Sequence, residues 1–116
     1  MAHHTMTGVS ADNTAKTHTI DAPEVNSSST NKKKIILHSI TVTTSGADIA
    51  ADVGVLITAS HTGDTWNAEL RSGKVFGMDK VFGPNGWDCG HDDVTIVTDA
   101  GGAGVVVTVS VHYEVI

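Results

Sequence analysis

The chain has 116 residues, enough for one domain with a single small core or for a domain plus a tail. Thirteen acidic and seven basic residues give a formal net charge of −6, so bulk charge does not draw it to nucleic acid. One cysteine excludes an internal disulfide, and no apolar run approaches the roughly 20 residues of a membrane span. The first ten residues lack the apolar segment of a secretory signal, which indicates a reducing compartment. We therefore expect neither a nucleic-acid nor a membrane partner.

Residues 1–33 are rich in Ser, Thr and Asn and show no persistent period of 2 or 3.6 residues. We predict that they form an extended N-terminal arm, because they bury too little apolar surface to fold alone. Ordering some thirty residues costs roughly 30–60 kcal/mol of backbone entropy, which a few apolar side chains at about 1.5–3 kcal/mol each do not offset. An ordered arm must be held by the body, a sister subunit or a larger assembly, and we favour a neighbour. We also expect the body to fold after deletion of residues 1–31.

Residues 34–116 form the predicted body and show the two-residue alternation of half-buried strands. The clearest run is Gly104 to Ile116, GVVVTVSVHYEVI, where every second residue from the first valine is apolar. In KIILHSITVTT, which starts at Lys34, the alternation places His38 on an apolar face, so we interpret it as a core or interface histidine. Short strands about ten residues apart, joined by glycine turns, predict an all-β antiparallel β-sandwich that is jelly-roll-like.

The densest group of potential metal ligands is WDCGHDD, residues 87–93. Zinc needs four ligands in a closed tetrahedron, and the calcium-loop pattern is absent, so we favour a polar turn whose aspartates cap backbone amides. Cys89 and His91 resemble a nucleophile and its base, but no oxyanion loop or orienting acid accompanies them. The sequence therefore predicts no metal, no cofactor and no enzymatic activity, and it leaves open whether the 88–93 loop binds an ion.

Trp66 and Trp87 lie close to Asn and Asp residues near predicted loops. A tryptophan flanked by amide and acid groups is a platform on which proteins hold sugars. Tryptophan also anchors small cores and subunit contacts, which is the interpretation we favour. The sugar platform leaves a carbohydrate-binding or tail-fibre adhesion module as the alternative function.

Two segments are candidates for partner binding. The first is the threonine-rich stretch Thr17, His18, Thr19 and Ile20. The second is the single basic run, Lys32, Lys33 and Lys34. The first stretch is suited to adding a strand to the edge of a neighbouring sheet. The basic run is suited to an acidic partner surface, or is simply a solvated junction between arm and body.

The polar leader, the KIILHSITVTTSG strand and the closing strand VTVSVHYEVI together resemble the small β-sandwich decoration (cement) proteins and related virion proteins of tailed bacteriophages. The resemblance lies in residues 34–116 and implies a jelly-roll-like body, often trimeric, on the capsid exterior. It implies that the major capsid protein is the partner, with a homotrimer favoured and assembly in the host cytoplasm. It carries over no catalytic residue. We therefore expect a non-enzymatic virion protein that cross-links neighbouring capsomers and stabilises the shell.

Overall fold

The computed structural model describes residues 2–26, 31–75 and 77–116; residues 1 and 27–30 of the predicted arm and residue 76 of the body lie outside this part. Nine strands and no helix occur in the described residues. The strands are β1 Ala2–Val9, β2 Lys16–Ile20, β3 Ile35–Gly46, β4 Val53–Ala59, β5 Thr65–Leu70, β6 Gly77–Val81, β7 Trp87–Asp88, β8 Val94–Thr98 and β9 Val105–Val115. Nowhere in the described ranges is there a helical segment with the length and hydrophobicity of a bilayer span.

The strands form two antiparallel sheets that pack face to face. Sheet I has the order β1-β9-β3-β6, with the short β7 beside the start of β3, and sheet II has the order β2-β8-β4-β5. The pairs β1·β9, β2·β8, β3·β6 and β4·β5 nest as one long hairpin wrapped across both sheets, which is the strand order of a jelly roll. The predicted all-β, jelly-roll-like antiparallel sandwich is confirmed.

The last strand supplies the centre of the core. Val105, Val107, Val109 and Val111 are each at most 1% exposed, whereas Thr108 and Ser110 between them lie on the outer face of sheet I. This is the alternation that the sequence predicts for β9. The valines pack against buried residues of sheet II, among them Val53, Val55, Ile57, Val94 and Ile96.

The N-terminal segment is part of the sandwich, which corrects the predicted division into an arm of residues 1–33 and a body of residues 34–116. Strand β1 pairs with β9 along its whole length, and Thr17, His18, Thr19 and Ile20 pair with Val97 to Val94 of β8. His18 and Ile20 are buried between the sheets, and a Cβ at Gly8 would overlap the His18 ring. The chain itself therefore supplies the pairing that the sequence analysis assigned to a neighbour. Strand β2 keeps one edge free.

Strand β3 contains a β-bulge that changes the predicted face of one residue. Leu37 pairs with Tyr113 and Ser39 with His112, so His38 is the extra residue between them. Leu37 and Ile40 are fully buried, while His38 is half-buried and lies on the outer face beside Glu114. The prediction that His38 shares an apolar face is therefore wrong, because the bulge resets the two-residue alternation.

Candidate functional site

Three imidazole rings from three strands meet on the outer face of sheet I. His3 lies on β1, His38 at the bulge of β3, and His112 on β9. Their ring centroids are 5.6 Å apart for His3 and His38, 5.3 Å for His3 and His112, and 5.5 Å for His38 and His112. Together with Glu114 these residues form what we call the histidine site.

Glu114 brings a carboxylate into this group of rings. It lies opposite His3 in the β1·β9 register, and its side chain is 8% exposed. Its Oε1 atom is 3.0 Å from His38 Nε2, and its Oε2 atom is 4.0 Å from His3 Nε2. One ligand atom from each of His3, His38 and Glu114 lies within 4.8 Å of the other two, so these three residues could hold a metal ion.

The sequence analysis missed the histidine site and predicted no metal site. His3 fell in the segment interpreted as an arm, and the bulge that exposes His38 leaves no mark in a two-residue alternation. The alternation of β9 does place His112 and Glu114 on one face. The missing information was the pairing of the first strand with the last, which no local pattern encodes.

The loop predicted as the densest ligand group is a hydrogen-bonded turn. Asp88 Oδ1 accepts a hydrogen bond from the Gly90 amide at 2.9 Å, and Asp92 Oδ1 accepts one from the Asp93 amide at 2.7 Å. The bond from the Asp93 amide, supported by the Lys32 ammonium, lowers the pKa of Asp92. These contacts match the predicted amide-capping role of the aspartates.

The basic run contacts the acidic loop of the same chain. Lys32 Nζ lies 3.3 Å from a carboxylate oxygen of Asp92 and 3.3 Å from one of Asp93, and these hydrogen bonds raise the pKa of Lys32. Lys34 Nζ lies 3.1 Å from Asp88. The Lys33 amide donates a hydrogen bond to the carbonyl of residue 23 at 2.7 Å. Two of the three lysines predicted to bind a partner thus find their acidic surface within this chain.

Cys89 and His91 do not form a nucleophile–base pair. The Cys89 side chain is fully buried, and this burial raises the pKa of its thiol to about 12, so it carries no thiolate at neutral pH. Between the two residues, Gly90 has a φ of +79° and turns the chain. The exposed His91 ring directs its Nδ1 atom to the Lys32 carbonyl at 3.0 Å and packs against His61, with 5.7 Å between centroids.

Trp66 and Trp87 meet at one edge of the core through Phe82. The Phe82 ring centroid is 5.6 Å from that of Trp66, in a T-shaped contact, and 5.6 Å from that of Trp87. Both tryptophans are half-buried and pack against the hydrophobic core. Part of each ring therefore remains at the surface, and the predicted interface and sugar-platform roles of Trp66 and Trp87 stay predictions.

Two open grooves mark the surface of the described residues. One, of about 410 Å³, lies on sheet II around Leu56, Asn67, Glu69, Val97 and Asp99. The other, of about 450 Å³, is lined by Val25, Asn31, Lys32, His61 and His91. Neither groove includes a member of the histidine site.

No protein-family model and no curated protein matches the sequence. Among solved structures, a family two carbohydrate esterase from Cellvibrio japonicus is similar at 12% identity and a TM-score of 0.41, covering 98% of this chain, which spans only 35% of the esterase. A family 29 carbohydrate-binding module complexed with cellulohexaose aligns at 12% identity and a TM-score of 0.40, over 96% of this chain and 91% of the module. The extra small virus (XSV) VLP of the giant freshwater prawn Macrobrachium rosenbergii aligns at 14% identity and 0.33, over 97% and 80%. The structural neighbours thus include virus particle proteins and carbohydrate-binding modules.

Proposed function

We propose that this chain is a non-enzymatic structural protein of a virion, which binds the outer surface of a phage capsid and stabilises the shell. The jelly-roll strand order and the resemblance of residues 34–116 to capsid decoration proteins support the proposal. Strands β1 and β2 are built into the sandwich, so the contact with the capsid is assigned to the faces of the sheets rather than to an extended arm.

The observation that carries the proposal is the scarcity of charge on the three neighbouring strands of sheet I. Strands β1, β3 and β9 are 8, 12 and 11 residues long, and Glu114 is the one Asp, Glu, Lys or Arg residue in them. The other charged residues of a chain with net charge −6 lie in loops or in other strands. Charge is therefore scarce on these three strands of sheet I, and the carboxylate that adjoins them is Asp79 of β6, which accepts a hydrogen bond from the Thr41 hydroxyl.

Hydroxyl and methyl groups cover that surface in rows. One row across β1, β9 and β3 is Thr7, Ser110 and Thr41, and the next is Val9, Thr108 and Thr43. We call these six residues the hydroxyl face. Depletion of charge is the compositional mark of the centre of a protein interface, and hydroxyls can pair with backbone groups of a partner. Many copies on one shell then add avidity to contacts that are individually weak.

A charge placed in the hydroxyl face tests the proposal. Particles that lack this protein are incubated with the purified chain, and bound protein is measured after sedimentation. We expect the wild type to bind and Thr108→Lys to lose most of its occupancy, because a lysine would be desolvated at the contact. Thr95→Lys is the matched control, since Thr95 is also a half-buried strand residue but pairs within sheet II.

Each result of this experiment has a defined meaning. Failure of the wild-type chain to bind any particle of its own virus would contradict the capsid proposal. Equal occupancy of the two lysine variants would remove the hydroxyl face from the contact. Sedimentation velocity of the free chain tests the homotrimer that the resemblance to decoration proteins implies.

A second candidate, a carbohydrate-binding module, is favoured by the groove on sheet II. Exposed Leu56 lies there between the amide of Asn67 and the carboxylates of Glu69 and Asp99, and such polar groups around an apolar surface suit a sugar. A glycan array with wild type, Asn67→Ala and Trp87→Ala separates the candidates. Binding that Asn67→Ala abolishes and Trp87→Ala retains would favour this groove over both the capsid and the predicted tryptophan platform.

A further inference from the structure

We propose that the histidine site binds one divalent first-row transition ion, Zn²⁺ in the first instance, through His3, His38 and Glu114, with His112 as the fourth ligand. The inference concerns a surface next to the hydroxyl face and does not depend on the capsid proposal. It rests on the spacing of the donor atoms, the bulge in β3 and the burial of the carboxylate.

The donor atoms already have nearly the spacing of a tetrahedral site. Two ligands at about 2.0–2.1 Å from one tetrahedral ion are about 3.3 Å apart. His38 Nε2 and Glu114 Oε1 are separated by 3.0 Å, and His3 Nε2 and Glu114 Oε2 by 4.0 Å. The two distances involve the two different oxygens of Glu114, and one ligand atom from each of His3, His38 and Glu114 lies within 4.8 Å of the other two.

The rings have the mutual distances of imidazoles around one ion. Imidazoles bound through nitrogen to a shared tetrahedral zinc have centroids about 5 Å apart. The three distances of 5.3, 5.5 and 5.6 Å between His3, His38 and His112 lie close to that value. The exposed His112 ring must turn to direct a nitrogen at the centre, since it is not part of the group whose ligand atoms lie within 4.8 Å.

The backbone is adapted to bring His38 into this group. A β-bulge adds a residue to one strand and redirects a side chain, and bulges are frequent beside functional sites. Here the extra residue is His38 itself, inserted between Leu37 and Ser39 on the β9 register. The bulge lets Leu37 and Ile40 both remain in the core while His38 faces Glu114.

The chemistry of the donors selects the class of ion. Glu114 is a carboxylate whose side chain is 8% exposed, and a buried carboxylate needs a compensating positive charge. Among the described residues, the charged or titratable groups paired with it are the imidazoles of His3 and His38, and no lysine or arginine is paired with it there. Imidazoles with one carboxylate suit zinc and its neighbours in the first row, whereas calcium and magnesium prefer all-oxygen sets.

A zinc titration tests the site directly. The chain is produced without an affinity tag, purified without a metal column, stripped with a chelator and titrated with Zn²⁺ by calorimetry. We expect one ion per chain. Co²⁺ in place of Zn²⁺ should give the strong visible absorption of tetrahedral coordination.

Variants locate the ion. His3→Ala and Glu114→Gln should each weaken Zn²⁺ binding by at least about 10–100-fold, since loss of even an outer-sphere partner costs that much. His112→Ala should have a smaller effect, because three ligands remain. His61→Ala is the matched control: it removes one histidine from the other imidazole pair and should leave binding unchanged. A cooperative thermal melt of each variant confirms that it is folded.

The outcomes are unambiguous. One ion per chain that is lost with His3→Ala and retained with His61→Ala supports the site. Absence of Zn²⁺ uptake by the wild type overturns the proposal. Loss of binding in His61→Ala with retention in His3→Ala places the ion at the other histidine pair and also overturns it.

Discussion

Among the described residues, histidines and carboxylates come together in two groups. The groups differ in which neighbouring atoms compensate the negative charge of the carboxylates. In the histidine site the Glu114 carboxylate is surrounded by imidazoles. In the second group, the loop cluster of Lys32, His61, His91, Asp92 and Asp93, an ammonium and backbone amides occupy the carboxylates. Similar residue types thus form a potential metal-ligand set in the histidine site and a set of structural hydrogen bonds and ion pairs in the loop cluster.

The comparison shows that nearness in sequence is a poor guide to a metal site. The loop cluster draws on an acidic run of adjacent residues, yet Asp93 Oδ1 accepts hydrogen bonds from both the Ala22 amide and Lys32. The histidine site is assembled from residues as far apart as His3 and Glu114, and its donors face one another. The Oδ1 atoms of Asp92 and Asp93 already accept hydrogen bonds from the chain, whereas the polar contacts of the Glu114 carboxylate are with imidazoles that are themselves potential ligands.

The largest expected effect comes from removing residues 1–20, which takes away β1, β2 and His3 while keeping the loop cluster. Each sheet loses an edge strand, and Ile20 alone buries a side chain worth about 1.5–3 kcal/mol. Because a domain of this kind has only about 5–15 kcal/mol of stability, we expect no cooperative melt by circular dichroism. A cooperative melt of the truncated chain would support the predicted division into an arm and a body. It would show that the body, including the loop cluster, folds independently.

A medium effect is expected where Gly90 packs against the loop cluster. Gly90 has a φ of +79°, and a Cβ there would lie 2.7 Å from the His61 ring. Gly90→Ala therefore combines left-handed backbone strain of about 1–2 kcal/mol with overpacking of about 1–3 kcal/mol. The urea midpoint measures the loss, while Zn²⁺ binding at the histidine site should be unchanged.

Gly63→Ala is the control for that variant. Gly63 has a φ of +75°, and a Cβ there would meet no atom within 4 Å, so this substitution carries the backbone strain alone. Equal losses of stability in the two variants would show that overlap with the His61 ring adds nothing to the cost of Gly90→Ala.

The smallest effect concerns His18, a histidine that belongs to neither group. Burial, with the nearby Lys16 charge, lowers the pKa of His18 below its ordinary value of 6.5, and its Nε2 atom has no hydrogen-bond partner among the described residues. The unfolded chain therefore binds this proton more readily, so stability is complete above about pH 6.5 and falls as the pH drops below it. Urea midpoints at pH 7.5 and 5.5 should differ more for the wild type than for His18→Gln. An identical pH dependence would mean that the buried ring keeps its ordinary pKa.

The sequence predicted those strands in which an apolar residue recurs at every second position. Strand β9 is the best case, because its valines are buried at every second position as expected. Strand β1 was not predictable, because AHHTMTGV has few apolar residues and is held by backbone pairing with a strand about a hundred residues away. For β2 the sequence indicated strand pairing at Thr17 to Ile20 but assigned it to a neighbouring sheet, whereas the partner is β8 of the same chain.

The candidate sites follow the same rule: contacts between residues close in sequence could be predicted, and contacts between distant strands could not. The capping role of Asp88 and Asp92 follows from local sequence, since both act on an amide one or two residues away. The histidine site requires strand order, register and a bulge at His38, none of which a local pattern contains. Sequence reasoning therefore found the contacts within a loop and missed those between strands.

The pairing of His3 with Glu114 has a consequence for how the chain folds during its synthesis. During synthesis the earliest strand of sheet I emerges first but must wait, unpaired, until its partner near residue 115 has left the ribosome. Contacts this distant in sequence make folding slow, and a lone uncharged strand invites pairing with other chains in the interval. High yields of native protein should accordingly depend on low temperature or on a chaperone that shields strand β1 until β9 is available.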